Sequence, residues 1–195
     1  MQDDIASKWF PLSEPQKSRW FRYAMEAGNI GLHNNGVAAR LDGPVDHKAF
    51  SRALQQLVDR HPMLRARFGE RDGIPQQSIM PTAVAQVTLV DARADTQAAL
   101  HERITADLFR PFDLNCPPLL RVHLYQCGPD QTVMLFVFDH MVIDGWSFWR
   151  LLDELGQVLG AHVRGEASLV ATERPGAGYA DFVAWQRDWL AGPLA

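Results

Sequence analysis

The residues best suited to chemistry stand together in Asp139-His140-Met141-Val142-Ile143-Asp144-Gly145-Trp146-Ser147. An imidazole titrates near neutral pH, so His140 can act as a general base there. Asp144 follows four residues later, and Gly145 permits a tight turn that folds it back toward His140. An Asp before Gly is also an ordinary turn or cap residue, which is the structural reading of Asp144. If buried, its carboxylate needs a cation, and the stretch Arg60-His61-Pro62-Met63-Leu64-Arg65 offers one. Ser147 lacks the G-x-S-x-G surroundings of a nucleophile, and its position suits a helix cap. Taken alone, H-x-x-x-D-G is a weak signal that a structural histidine also satisfies.

The elements that must position this cluster are readable on both sides of it. Val133 to Phe138 is six apolar residues in a row, the pattern of a strand buried on both faces, and it delivers Asp139 and His140 to the edge of a core. Leu119 to Tyr125 alternates: Leu120, Val122 and Leu124 face one side, Arg121 and His123 the other. Gly128-Pro129-Asp130 turns the first run into the second, which predicts an antiparallel hairpin at the sheet centre. Beyond the cluster, Phe148, Leu151, Leu152, Leu155, Val158 and Leu159 mark an amphipathic helix ending near Arg164-Gly165.

Earlier in the chain, Ser13 and Gln16 fit a capping box for a helix reaching about Ala27. Gly36 to Gly43 reads as a strand. Asp46 caps a helix whose Phe50, Ala53, Leu54, Leu57 and Val58 form one buried stripe. Pro62 ends it, Met63 to Phe68 reads as a strand, and Arg71-Asp72-Gly73 turns into a partner near Gln76 to Met80. A strand from Val84 to Val90 and a helix carrying Leu100, Ile104 and Leu108 follow. Glu166 to Gly178 is a flexible connector, and a last helix aligns Tyr179, Phe182, Val183, Gln186, Trp189 and Leu190, with Trp185 beside them. Those tryptophans need a surface to cover them.

Composition removes several classes of function. With 19 basic against 23 acidic residues and a net charge of -4, the chain has no basic field for nucleic acid or an anionic membrane. Its 47% hydrophobic and 22% charged residues are those of a globular protein. No apolar run approaches the roughly 18 residues of a membrane span, and the N-terminus is acidic where a signal peptide is basic, so a cytoplasmic protein is expected. Cys116 and Cys127 make no metal spacing and are expected to be buried thiols; no metal is expected. Of the other histidines, His33 reads as loop, His61 as a helix-end cation, and His47, His101 and His162 as solvated helix positions.

Four segments in order carry a resemblance: PLSEPQKSRWF, RHPMLRARF (60–68), DHMVIDGWS (139–147) and YADFVAWQRDWL (179–190), with PFDLNCPPLLRVHLY leading into the central strand. Over nearly its whole length the chain resembles the N-terminal lobe of a condensation domain of nonribosomal peptide synthetases, in the chloramphenicol-acetyltransferase-like superfamily. The resemblance implies an α/β lobe, residues 1–195, with a two-layer mixed, largely antiparallel sheet and packed helices, and a C-terminal lobe absent from this chain. It implies amide-bond formation between thioesters on the phosphopantetheine arms of donor and acceptor carrier proteins, with no cofactor bound to the lobe and little activity from the lobe alone. The family's H-H-x-x-x-D-G motif places its functional histidine at His140. It makes Asp144 structural, paired with Arg65 or else Arg60, and lets Gly145 admit the thioester; Ser147, Trp146 and His123 are expected along the channel.

One departure matters. The first motif histidine is Asp139 here. Close to His140, an ionised Asp139 would favour the imidazolium; facing elsewhere, it would not. Asp139, Asp144 and Ser147 also fit the D-x-x-x-x-D-x-x-S pattern of heterocyclization domains, and a catalytically silent docking module is the remaining alternative.

Overall fold

The computed structural model describes residues 8–25, 30–166 and 178–192. In chain order its elements are β1 (Trp9–Pro11), α1 (Glu14–Met25), β2 (Asn34–Asp42), α2 (His47–Arg60), β3 (Ala66–Arg71), β4 (Ile74–Ile79), β5 (Val87–Asp91), α3 (Gln97–Phe109), β6 (Leu120–Gly128), β7 (Gln131–Asp139), α4 (Gly145–Arg164) and α5 (Tyr179–Leu190). The expected end of α1 near Ala27 and most of the connector after Glu166 lie outside the described residues.

The predicted hairpin is the centre of a four-stranded sheet ordered β2-β7-β6-β5. β7 pairs antiparallel with β6, Leu120 opposite Phe138, and with β2, Asn34 opposite Asp139. Only β5 runs parallel to its neighbour β6. Both faces of β7 are covered, which accounts for its unbroken apolar run. Met134, Phe136 and Phe138 join Leu120, Val122 and Leu124 in a core closed by α2 and α4. Leu135, Val137 and Tyr125 join a second core that takes in Trp20 and Tyr23 of α1 and Leu100, Ile104 and Leu108 of α3. Helices thus cover both faces of this sheet. A second, antiparallel sheet is ordered β1-β4-β3.

α2 forms as its sequence dictates. Asp46 accepts hydrogen bonds from the amides of Lys48 and Ala49, and all five residues of the expected stripe are buried. The four larger ones, Phe50, Leu54, Leu57 and Val58, each contribute about 1.5–3 kcal/mol relative to exposure. Two strands begin three residues later than the reading. Pro62–Arg65 is a 3-10 turn, so the strand begins at Ala66. The strand expected from Val84 begins at Val87, because Gln55 takes the preceding backbone: it donates to Ala83 O and accepts from Ala85 N. Gly31, in the turn before β2, and Gly36, in β2, let the end of α3 approach closely; a Cβ on Gly31 would run into Phe109 O, and one on Gly36 would lie 2.7 Å from Leu108 Cδ1. Cys116 is exposed and Cys127 partly buried, so neither is the buried thiol expected. No helix among the described residues is long and apolar enough to cross a membrane.

Candidate active site

Helix α1 lies across the end of β7 and addresses three consecutive residues there. The Ser13–Gln16 capping box forms as predicted: Gln16 Oε1 accepts from Ser13 N at 3.0 Å, and Ser13 Oγ from Gln16 N at 3.4 Å. Helical spacing puts Gln16, Arg19 and Tyr23 on one face. Gln16, fully buried, donates to Met141 O at 3.0 Å and exchanges amide bonds with Gln77. Arg19 Nη2 stands 3.3 Å from His140 Nε2, and the Tyr23 hydroxyl donates to Asp139 Oδ2. α5 secures the start of α1 through the Tyr179 hydroxyl on Ser13 Oγ and Gln186 on Glu14 N.

Asp139 is 1% exposed, and its other oxygen accepts from Met141 N at 2.8 Å. Burial pushes its carboxyl above the ordinary value, against the opposing pull of the Tyr23 and Met141 bonds. Its carboxylate is therefore a brace for the turn at the strand end, with both oxygens engaged away from the imidazole of His140.

His140 is half-buried on the wall of a cavity of about 670 Å³ between α1, α4, α5 and the Pro62–Arg65 turn. Arg19, Asp144, Ser147, Tyr179 and Phe182 share that wall. An arginine side chain only donates, so the Arg19 contact requires a lone pair on His140 Nε2. Burial raises the Tyr179 phenol above its usual range.

Asp144 takes the structural cap role, without the arginine partner expected for it. It is exposed and caps α4, accepting from Ser147 N at 2.7 Å, and that backbone bond is the main reason its carboxyl titrates below the ordinary value. A carboxylate satisfied in this way needs no cation, and the expected pairing with Arg65 or Arg60 does not form. Arg65 donates to Val58 O at 2.6 Å, to Asp59 O and to Met80 O, locking the end of α2 to β4. Arg60 lies 3.7 Å from Glu154, which also takes His61 Nε2 at 2.7 Å. The cap of α4 is Asp144 and not Ser147, which is the third residue of the helix. Gly145 opens α4 without a left-handed backbone, so no tight turn depends on it; a Cβ there would meet nothing within 4 Å.

Two of the expected channel residues lie elsewhere. Trp146 is 79% exposed and lines a separate cleft with Trp149 and Arg60. His123 is buried beneath α3, its Nδ1 3.4 Å from the Asp107 carboxylate and its ring stacked on Tyr125. Burial holds it below the ordinary imidazole value. The structure thus gathers His140, Asp144 and Ser147 and adds Arg19 and Tyr179, which the sequence reading missed. The available signal was the polar face Gln16-Arg19-Tyr23 on an otherwise amphipathic helix. Among the described residues no group of three or more His, Cys, Asp or Glu side chains is placed to hold a metal ion.

The site is thus a strand-end histidine on a cavity wall, in a mixed sheet flanked by helices. Residues 6–193 match the family model described as Condensation domain, and the chain belongs to that family. It is 39% identical over 188 residues to one of the linear gramicidin synthase proteins of Brevibacillus parabrevis, an overlap covering 94% of this chain and 2% of that protein. It is 34% identical over 183 residues to the dimodular nonribosomal peptide synthase of Bacillus subtilis (strain 168), covering 92% and 7%. Among solved structures, the first condensation domain of the calcium-dependent antibiotic synthetase, in complex with substrate analogue 2a, superposes with a TM-score of 0.83 at 23% identity over 96% of this chain. The starter condensation domain of rhizomide synthetase does so at 0.82 and 21% over 95%. The chain spans 44% and 45% of those two solved chains.

Proposed function

We propose that this chain is the N-terminal half of a condensation domain that joins two carrier-bound thioesters through an amide bond, in a cytoplasmic nonribosomal peptide synthetase making secondary metabolites such as antibiotics. The acceptor amine, held on one carrier's phosphopantetheine arm, attacks the carbonyl carbon of the donor thioester on another. A C–N bond forms, the carbonyl oxygen takes up charge, and the amine proton passes to His140 Nε2. The C–S bond then breaks, and the donor's thiolate leaves and regains a proton. His140 can also orient the amine and stabilise the tetrahedral intermediate by hydrogen bonding. Asp144 holds the start of α4, and the open space at Gly145 leaves room for a thioester arm. A second lobe completes the channel, so the 195-residue chain alone is expected to turn over little.

The reading rests on one observation: His140 lines the cavity with its Nε2 3.3 Å from Arg19 Nη2, while the neighbouring Asp139 carboxylate is bonded to Tyr23 and Met141. The same burial of Asp139 speaks against a heterocyclizing role for that carboxylate. It also speaks against taking the substitution at 139 as a sign of a silent lobe. The test is mass spectrometry of the product formed by the complete two-lobed domain with two loaded carriers. A condensed thioester is expected; a further loss of water with a Cys, Ser or Thr acceptor supports heterocyclization, and no condensed product from the cognate carriers overturns the proposal.

A further inference from the structure

We propose that Arg19 is a positioning residue that decides which nitrogen of His140 carries the proton. Its use in catalysis rests on the reading of His140 as proton acceptor; the tautomer itself does not. Arg19 Nη2 lies 3.3 Å from His140 Nε2. A guanidinium offers only N–H donors and stays charged, so Nε2 accepts and the single proton of the neutral ring sits on Nδ1. Among the described residues His140 Nδ1 is buried with no hydrogen-bond partner, so a proton there is an unpaired donor whose cost the Arg19 contact at Nε2 must outweigh. The adjacent carboxylate that could impose another arrangement, Asp139, is committed to Tyr23 and Met141 N.

Arg19 is itself held in place. Gln16 and Tyr23, one turn before and after it on α1, bond to Met141 O and Asp139, and a second guanidinium nitrogen donates to Pro15 O at 3.3 Å. No carboxylate among the described residues forms an ion pair with Arg19, so its donors remain available to the imidazole. The result is a ring at the cavity wall whose Nε2 lone pair is held by Arg19. With the proton on Nε2 the ring would offer the incoming amine a donor, and proton acceptance would require a tautomer change first. In the complete domain the amine takes the place of Arg19 on Nε2.

The test is a two-bond 15N–1H correlation spectrum of the histidine-labelled chain at about pH 8.5, where an ordinary imidazole is neutral, with His140 assigned by loss of its signals in His140→Gln. The wild-type chain and Arg19→Lys are expected to show the Nδ1–H form. Arg19→Leu is expected to shift His140 toward Nε2–H. In the complete domain, Arg19→Leu lowers kcat roughly tenfold, in proportion to the competent fraction; Arg19→Lys restores most of it, and KM for the loaded carriers is unchanged. An Nε2–H tautomer in the wild-type chain overturns the proposal by itself, whether or not a variant folds. An unaltered tautomer in Arg19→Leu overturns it too. If the tautomers behave as stated but His140→Ala condenses at the wild-type rate, the positioning claim stands and the catalytic reading of His140 falls.

Discussion

Tyr23→Phe isolates the brace on which the strand end depends. The substitution deletes one hydroxyl and retains the ring that lies 4.2 Å, centroid to centroid, from His33. That hydroxyl donates to a carboxylate that is 1% exposed and also accepts from Met141 N. A hydrogen bond to a charged, buried acceptor is worth about 1.5–3 kcal/mol. With a urea slope of about 2–3 kcal/mol/M for a chain of this size, the unfolding midpoint is expected to fall by about 1 M. Acid titration supplies an independent check. Burial raises Asp139 above its ordinary 3.8, so between those two values the folded chain binds the proton that the unfolded chain has released. In that window the contribution of Asp139 to stability is greatest at the acid side and is lost as pH rises through the folded value. Asp139→Asn abolishes that slope and keeps an oxygen for Met141 N. Urea unfolding of the two variants and the double variant across this range measures both effects. A Tyr23→Phe cost below about 0.5 kcal/mol, or an acid slope untouched by Asp139→Asn, refutes the reasoning.

Three further outcomes are expected. Asp144→Ala loses the cap of α4 and costs about 1 kcal/mol, whereas Asp144→Asn costs a few tenths at most; urea unfolding distinguishes them. Arg65→Ala strips donors from three backbone carbonyls and costs about 2–3 kcal/mol; because Arg65 does not touch Asp144, the double variant with Asp144→Ala is additive within about 0.5 kcal/mol. His123, held below its ordinary 6.5 by burial, makes the unfolded chain the stronger proton binder between the lowered value and 6.5. Stability therefore rises with pH through that window and is unchanged by His123 on either side of it, and thermal melts of His123→Gln should show a flatter profile there.

The sheet centre and the helix over it were legible because their patterns report burial directly. Val133 to Phe138 is apolar on every residue because both faces of β7 are covered, and the stripe from Phe50 to Val58 has the period of the helix that buries it. The site was legible in residue type and less so in partner. Asp144 satisfies its carboxylate on a backbone amide and Arg65 its guanidinium on backbone carbonyls, and backbone groups leave no mark on residue type. Pairing the two from sequence matched charges that the fold had already engaged elsewhere. His123 alternates like a half-exposed strand residue, yet α3 crosses above it and buries it. The three-residue β1 is too short to show a period. Arg19 and Tyr23 were missed because their targets lie more than a hundred positions away, at residues 139 and 140.

The central claim is a division of labour between neighbours: Asp139 braces the strand end and His140 performs the chemistry. The most direct measurement is the rate of aminoacyl transfer between two loaded carriers by the complete domain carrying Asp139→Asn or His140→Ala. Asp139→Asn is predicted to stay within about threefold of wild type, and His140→Ala to lose a factor on the order of 10² or more, the range of a positioned general base. A His140→Ala domain that condenses at the wild-type rate, or an Asp139→Asn domain as impaired as His140→Ala, contradicts it.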